Sequence, residues 1–194
     1  MSVSVPVFDF PTEAAAEEAV ASILRFIGED PDREGLVDTP SRVVRAWREM
    51  TAGYREDPGE ILSRTFDETS DELILLRGIS FYSTCEHHLL PFYGEACVGY
   101  LPGKVVGISK LARLVNCFAH RLQVQERMTR QVADAIEKHL DARGVGVVIR
   151  AHHLCMGCRG VRQQDTDMVT SSMLGTLRSD ATSRSEFLQL CKVS

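Results

Sequence analysis

Apolar residues along this chain recur first at helical and then at strand spacing. Between Thr12 and Ile27 the positions Ala16, Val20, Ile23, Leu24 and Ile27 fall on one helical face, with Thr12 as N-cap and Gly28 as stop. A loop rich in Asp, Glu, Pro and Gly follows. Thr39-Pro40 then reads as N-cap and first residue of a helix running to about Met50. After Asp67 the texture changes. Leu73 to Tyr82 and Tyr93 to Leu101 are strand-like, and Pro102-Gly103 makes a turn. Ser109 caps an amphipathic helix through Leu111, Leu114, Val115 and Phe118. A second helix, about Gln125 to Ala142, buries Val132, Ile136 and Leu140. Val145 to Ile149 is a dense β-branched strand, Met168 to Leu177 another strand, and Ser183 to Leu190 a last short helix. This order predicts an α+β fold, a four-stranded antiparallel sheet backed by two helices, with an N-terminal helical arm over 1–66 and the main domain over 67–194.

Composition adds little beyond exclusions. The 194 residues are 44% hydrophobic and 25% charged, as in ordinary globular proteins. A net charge of −5 gives no global attraction for nucleic acid or an anionic membrane, so neither is expected as a partner. No apolar run approaches the roughly 18 residues of a membrane span. Met1 to Pro11 lacks the basic start and apolar core of a signal peptide, so a cytoplasmic protein with reduced thiols is expected. The six cysteines do not read as a disulfide framework: Cys97 and Cys117 read as packed thiols and Cys191 as incidental.

Two clusters carry the chemistry. Cys85-Glu86-His87-His88 and His152-His153-Leu154-Cys155 hold four of the six histidines. Imidazole and thiolate are the ligands zinc prefers, and a catalytic site leaves one position open for water. If the second strand continues through Cys155, His153 and Cys155 share a face, and His152 points away as a surface or inter-subunit residue. Cys85 and His88 converge only if the chain turns at the end of its strand. Two metal readings stay open on spacing. A closed site would use Cys85, His88, Cys155 and Cys158, whereas an open one would leave Cys158 out. The closed site gives His87 and His153 no role. A redox reading of Cys155-Met156-Gly157-Cys158 lacks the surrounding βαβ pattern. A zinc deaminase would need H-x-E and then P-C-x-x-C, which is not present.

Elsewhere, Ser109-Lys110 with Arg113 one turn on offers an anion site at a helix start, and Arg159 follows the second cluster. Gln123-Val124-Gln125-Glu126-Arg127 is a polar break between two amphipathic helices. Glu126 suits either the helix N-terminus or the N–H donors of a base.

These blocks, in this order, resemble the signature segments of GTP cyclohydrolase I. They are Asp38-Thr39-Pro40 with Arg42, Cys85-Glu86-His87-His88, Gly107-Ile108-Ser109-Lys110, Gln123 to Arg127, His153-x-Cys155 with Arg159-Gly160, and Ser185-Glu186-Phe187-Leu188. The resemblance covers nearly the whole chain from about residue 15 and implies the tunnelling fold. It also implies a decamer of two stacked pentamers with active sites between subunits. By position it implies one zinc ion per subunit on Cys85, His88 and Cys155, with His87 and His153 as acid–base residues and Ser109 helping in the ribose steps. Arg42, Arg45, Lys110, Arg113 and Arg159 would take the triphosphate of GTP, and Glu126 with the Gln125 backbone would read guanine. The implied reaction opens the guanine imidazole ring at C8, releases formate and rearranges the ribose to 7,8-dihydroneopterin triphosphate. Cys158 departs from the family pattern and matches no ligand.

Overall fold

A computed structural model describes residues 12–68 and 70–192. The segment 1–11, read above as lacking a signal peptide, lies outside the described residues. The chain forms two compact units, one ending at Glu49 and one beginning at Met50.

The first unit holds α1 (Glu13–Phe26) and nearly all of α2 (Thr39–Met50). Thr12 caps α1, its hydroxyl accepting from the Ala15 N–H at 3.2 Å, and Gly28 follows the helix at φ +91°. Thr39, expected as a cap, is instead the first helical residue of α2, and the Arg42 N–H donates to the Asp38 carbonyl.

The second unit begins with a 3₁₀ turn (Ala52–Arg55), α3 (Pro58–Leu62) and β1 (Thr65–Phe66). There follow β2 (Ile74–Cys85), β3 (Pro91–Leu101), β4 (Val105–Val106), α4 (Ile108–Ala119), β5 (Leu122–Gln123) and α5 (Gln125–Leu140). The chain closes with β6 (Gly144–His153), α6 (Leu154–Gly157), β7 (Met168–Leu174), α7 (Gly175–Ser179) and α8 (Ala181–Cys191). The main sheet has the order β5-β2-β3-β6-β7, and β1 pairs only with β4. The four long strands are antiparallel, as the periodicity predicts. The short β5, running parallel to the end of β2, was not foreseen. The predicted strand through Leu177 stops at Leu174, because Gly175 at φ +52° turns the chain into α7.

Strand alternation sorts the sheet into two faces. Phe92, Ala96, Val98 and Tyr100 of β3, with Val145, Val147, Ile149 and Ala151 of β6, form one core with α4 and α5. Leu111, Leu114, Val115, Met128, Val132 and Ile136 supply the helical side of that core. The opposite face is not bare. Phe187 of α8, fully buried, covers it together with Leu177 of α7, packing with Cys97 of β3. Gly99 and Gly146 leave the space its ring occupies: a Cβ on either would meet the ring at 2.9 or 2.7 Å.

Two cysteine expectations are corrected here. Cys97 and Cys191 form a disulfide, with Cα atoms 5.9 Å apart. Cys97 is buried as expected, but it sits on the odd-numbered face of β3 beneath α8, and the last helical residue of α8 is Cys191. Cys85, Cys117, Cys155 and Cys158 are free thiols.

Candidate metal centre

Cys85 is the last residue of β2, buried, with its neighbours fixed by two ladders. On one side the hairpin to β3 closes by a tight turn. The Cys85 N–H donates to the Leu90 carbonyl at 2.9 Å, and the Leu89 N–H returns to the Cys85 carbonyl at 2.8 Å. Leu89 takes φ +56° to complete the turn. On the other side β5 runs alongside, and the Glu86 N–H donates to the Gln123 carbonyl at 3.0 Å. This turn is what brings His88 back toward Cys85.

The second ligand segment arrives differently from the conditional reading. β6 ends at His153, so Cys155 lies in the first turn of α6 rather than on the strand. Ligand atoms of Cys85, His88 and Cys155 nevertheless all lie within 4.8 Å of one another. The Cys155 thiol is pushed above its ordinary value by burial and by the Cys85 thiol beside it. Two thiols and an imidazole gathered this closely are a donor set matched to a soft divalent cation, which would relieve the repulsion between the thiolates. Cys158 is exposed and outside this group, so the closed four-ligand arrangement is not what the fold assembles.

His87 is exposed, 4.0 Å from the Glu86 carboxylate and edge-on to the His88 ring at 6.3 Å. His153 is half-buried. Its ring stacks on Phe92, its cross-strand partner, with centroids 4.6 Å apart and planes 3° from parallel. Burial holds its imidazole below the ordinary histidine value, against the opposing pull of Glu126. His152 faces the other side of the sheet, where it bonds the Thr166 carbonyl through Nδ1 at 3.2 Å and meets Tyr93.

The polar break between the helices is a stitched joint. Gln123 is buried. Its amide N–H donates to the Phe118 carbonyl and to Gln131, and its Oε1 accepts from Arg127 Nε at 3.1 Å. Arg127 also donates to the Leu122 carbonyl and pairs with Glu86, which holds the Glu86 carboxyl below its usual range. Glu126 is exposed in the first turn of α5. Gln125 is buried, and its side chain, rather than only its backbone, is engaged: Oε1 meets His153 Nε2 at 2.8 Å. Reading the sequence missed Arg127, Phe92 and the Gln125 side chain. The β3/β6 register that pairs Phe92 with His153 was the signal available for one of them.

The basic residues fall into two groups. Ser109 and Lys110 open α4, but Gly107 is its cap and Ser109 the second helical residue. Arg113 lines a surface cavity of about 560 Å³ with Arg55, Glu56, Asp57, Glu60 and His120. Among the described residues, the side chains of Lys110, Arg113 and Arg159 have no hydrogen-bond or ion-pair partner within the chain, although Arg159 exerts an electrostatic pull on Cys155. Arg42 and Arg45 lie on α2 of the first unit, where Arg42 pairs with Asp38 at 2.8 Å.

An α+β protomer that gathers two thiols and an imidazole at the end of its central strands, beside a half-buried histidine, has a donor set that could hold a divalent metal. The family model for GTP cyclohydrolase I matches residues 16–192, and the chain belongs to that family of enzymes, with GTP cyclohydrolase activity. The GTP cyclohydrolase 1 of Mycobacteroides abscessus is 54% identical over 187 residues, covering 95% of this chain and 90% of that protein. The GTP cyclohydrolase 1 of Mycobacterium tuberculosis is 54% identical over 192 residues, covering 97% and 94%. Among solved structures, an archaeosine synthase QueF-Like in the apo form is similar at 17% identity and a TM-score of 0.43, over 54% of this chain and 96% of that one. No helix among the described residues is long and apolar enough to cross a membrane.

Proposed function

We propose that the protein is a zinc-dependent GTP cyclohydrolase I that opens the imidazole ring of GTP at C8, releases C8 as formate and forms 7,8-dihydroneopterin triphosphate. The observation that carries this reading is the convergence of Cys85, His88 and Cys155 within 4.8 Å, on elements that also deliver His153. Zinc held there would supply Lewis acidity, making water nucleophilic at neutral pH. His153, half-buried and with burial disfavouring its charged form, is suited to accept and return a proton at the ring being opened. His87, exposed at the hairpin turn, serves as a second proton carrier, and Ser109 assists in the ribose steps. Glu126 and the Gln125 backbone read the N–H edge of guanine.

Lys110, Arg113 and Arg159, whose side chains have no ion-pair partner among the described residues, take the triphosphate, joined by Arg42 and Arg45. A cation left without a carboxylate in a protein of net charge −5 is available to an anionic ligand. The residues before about 67 serve as a helical arm and the rest as the catalytic domain. Subunits assemble in the ring of the tunnelling fold, as a cytoplasmic homodecamer of two pentamers with sites shared between subunits.

The direct test incubates zinc-loaded protein with GTP and follows formate together with a fluorescent neopterin after oxidation. Stoichiometric release of both supports the reading. Absence of turnover with the metal fully loaded overturns it. Sedimentation tests the ring, since shared sites predict that a monomeric form is inactive.

A further inference from the structure

Gln125 is the first residue of α5, 1% exposed, and every polar atom of its side chain is committed. Its Nε2 lies 3.0 Å from the Ile149 carbonyl, 3.0 Å from the Met168 carbonyl and 3.0 Å from Thr170 Oγ1. Two of these three neighbours are backbone carbonyls, which only accept. The amide nitrogen must therefore face them, and the amide oxygen must face His153. A second chain of bonds fixes the hydroxyl hydrogens. Thr129 donates to the Gln125 carbonyl at 2.7 Å, so Thr170, 2.7 Å from Thr129, donates to it and accepts from the Gln125 amide. The two amide hydrogens of Gln125 are shared among these three acceptors, and all three hold the nitrogen on that side. Among the described residues, no buried side-chain nitrogen or oxygen is left without a partner.

One atom remains to be decided by these bonds. Gln125 Oε1 can only accept, and it lies 2.8 Å from His153 Nε2, so that nitrogen must donate. Among the described residues, His153 Nδ1 takes no hydrogen bond. Phe92, stacked flat on the ring, restrains its tilt. We propose that Gln125 is a positioning residue that locks His153 in the Nε2–H tautomer, so that Nδ1 is the nitrogen through which His153 exchanges protons. The catalytic half of this inference rests on the acid–base role given to His153 above, whereas the tautomer stands on the hydrogen-bond geometry alone. Tautomer control matters because an imidazole presenting N–H where a lone pair is needed cannot act as a base.

The test reads the tautomer and the kinetics separately. Full-length, zinc-loaded protein labelled with ¹⁵N-histidine is sedimented and studied by solid-state NMR at a pH where the ring is neutral, with His153 assigned by difference against His153→Asn. The expected wild-type result is a protonated Nε2 and a bare Nδ1. Protonated Nδ1 in the wild type overturns the proposal whatever any variant does. Gln125→Met, close in volume and without an acceptor, is expected to release the tautomer and lower kcat by about 100-fold. The KM for GTP should stay nearly unchanged, because the backbone at 125 remains. A fall in kcat with the tautomer intact overturns the proposal in favour of a merely structural Gln125. A changed tautomer with unchanged kcat overturns its catalytic half. If the wild type turns over no GTP at all, the functional reading fails while the NMR result still decides the tautomer.

Discussion

Arg127 of α5 reaches the carboxylate of Glu86, the residue between Cys85 and the two histidines of the β2–β3 turn. The same guanidinium holds Gln123 and the Leu122 carbonyl, so the start of a helix and the hairpin turn are fastened as one body. Outer partners of this kind set ligand orientation, and their loss weakens metal binding by about 10- to 100-fold. Arg127→Ala should therefore lower metal affinity by that order with little change in far-UV circular dichroism. Competition against a chromophoric chelator measures it.

The exposed Cys158 and the clustered Cys155 separate two ligand sets. Cys158→Ala should keep one metal per chain and most activity, whereas Cys155→Ala should lose both. Metal analysis of the two purified variants, beside wild type, checks this. Loss of metal from the Cys158 variant would show that the ligand set is wrong.

Phe187 fills the space that Gly99 and Gly146 leave open on the second face of the sheet. Phe187→Ala should cost about 3–5 kcal/mol through lost burial and a residual cavity. Gly146→Ala should destabilise the wild type by pushing a Cβ into the ring, and should cost much less when Phe187 is already Ala. Urea unfolding of the two single variants and the double variant gives the coupling.

The Cys97–Cys191 bond spans a sequence separation of 94 residues. A loop of that length corresponds to about 4–5 kcal/mol on the chain-entropy account of crosslinks. Cys191→Ser should lower the unfolding midpoint, and a reductant should shift the wild type but not the variant. A thiol titration of the oxidised, unfolded, metal-free protein should find four of the six cysteines free.

Asp180 caps α8, its carboxylate accepting from the Ser183 N–H at 2.6 Å, and those bonds hold it below its ordinary value of 3.8. A carboxyl whose folded value is depressed contributes stability above its ordinary value and loses it as pH falls through the folded one. Asn caps nearly as well without a charge. Wild type should therefore exceed Asp180→Asn in thermal midpoint at neutral pH, and the gap should close on the acid side of 3.8. Parallel thermal melts across that range measure the gap.

Periodicity placed the long strands and helices because each buries one continuous face, and alternation alone sent His152 and His153 to opposite sides. What escaped it were features made by separate segments meeting. β5 is two residues long and exists only because it lies beside β2. The role of Phe187 depends on absent side chains at two glycines on different strands. Cys97 could not be matched to Cys191 without knowing that α8 returns over β3. The Gln125 side chain, buried between two strands and a histidine, carries no periodic signal. Local pattern encodes what one element does, and these contacts belong to pairs of elements distant in sequence.

Cys85 and His88 come from one flank of β3 and Cys155 from the other, so that strand acts as a ruler between the two halves of the metal group. Slipping either pairing by one residue would shift a ligand by about 3.3 Å and turn its strand's side chains to the wrong face. A chain mispaired in this way has no group of three to offer. A metal ion held by these three side chains would thus favour the native strand register over its neighbours.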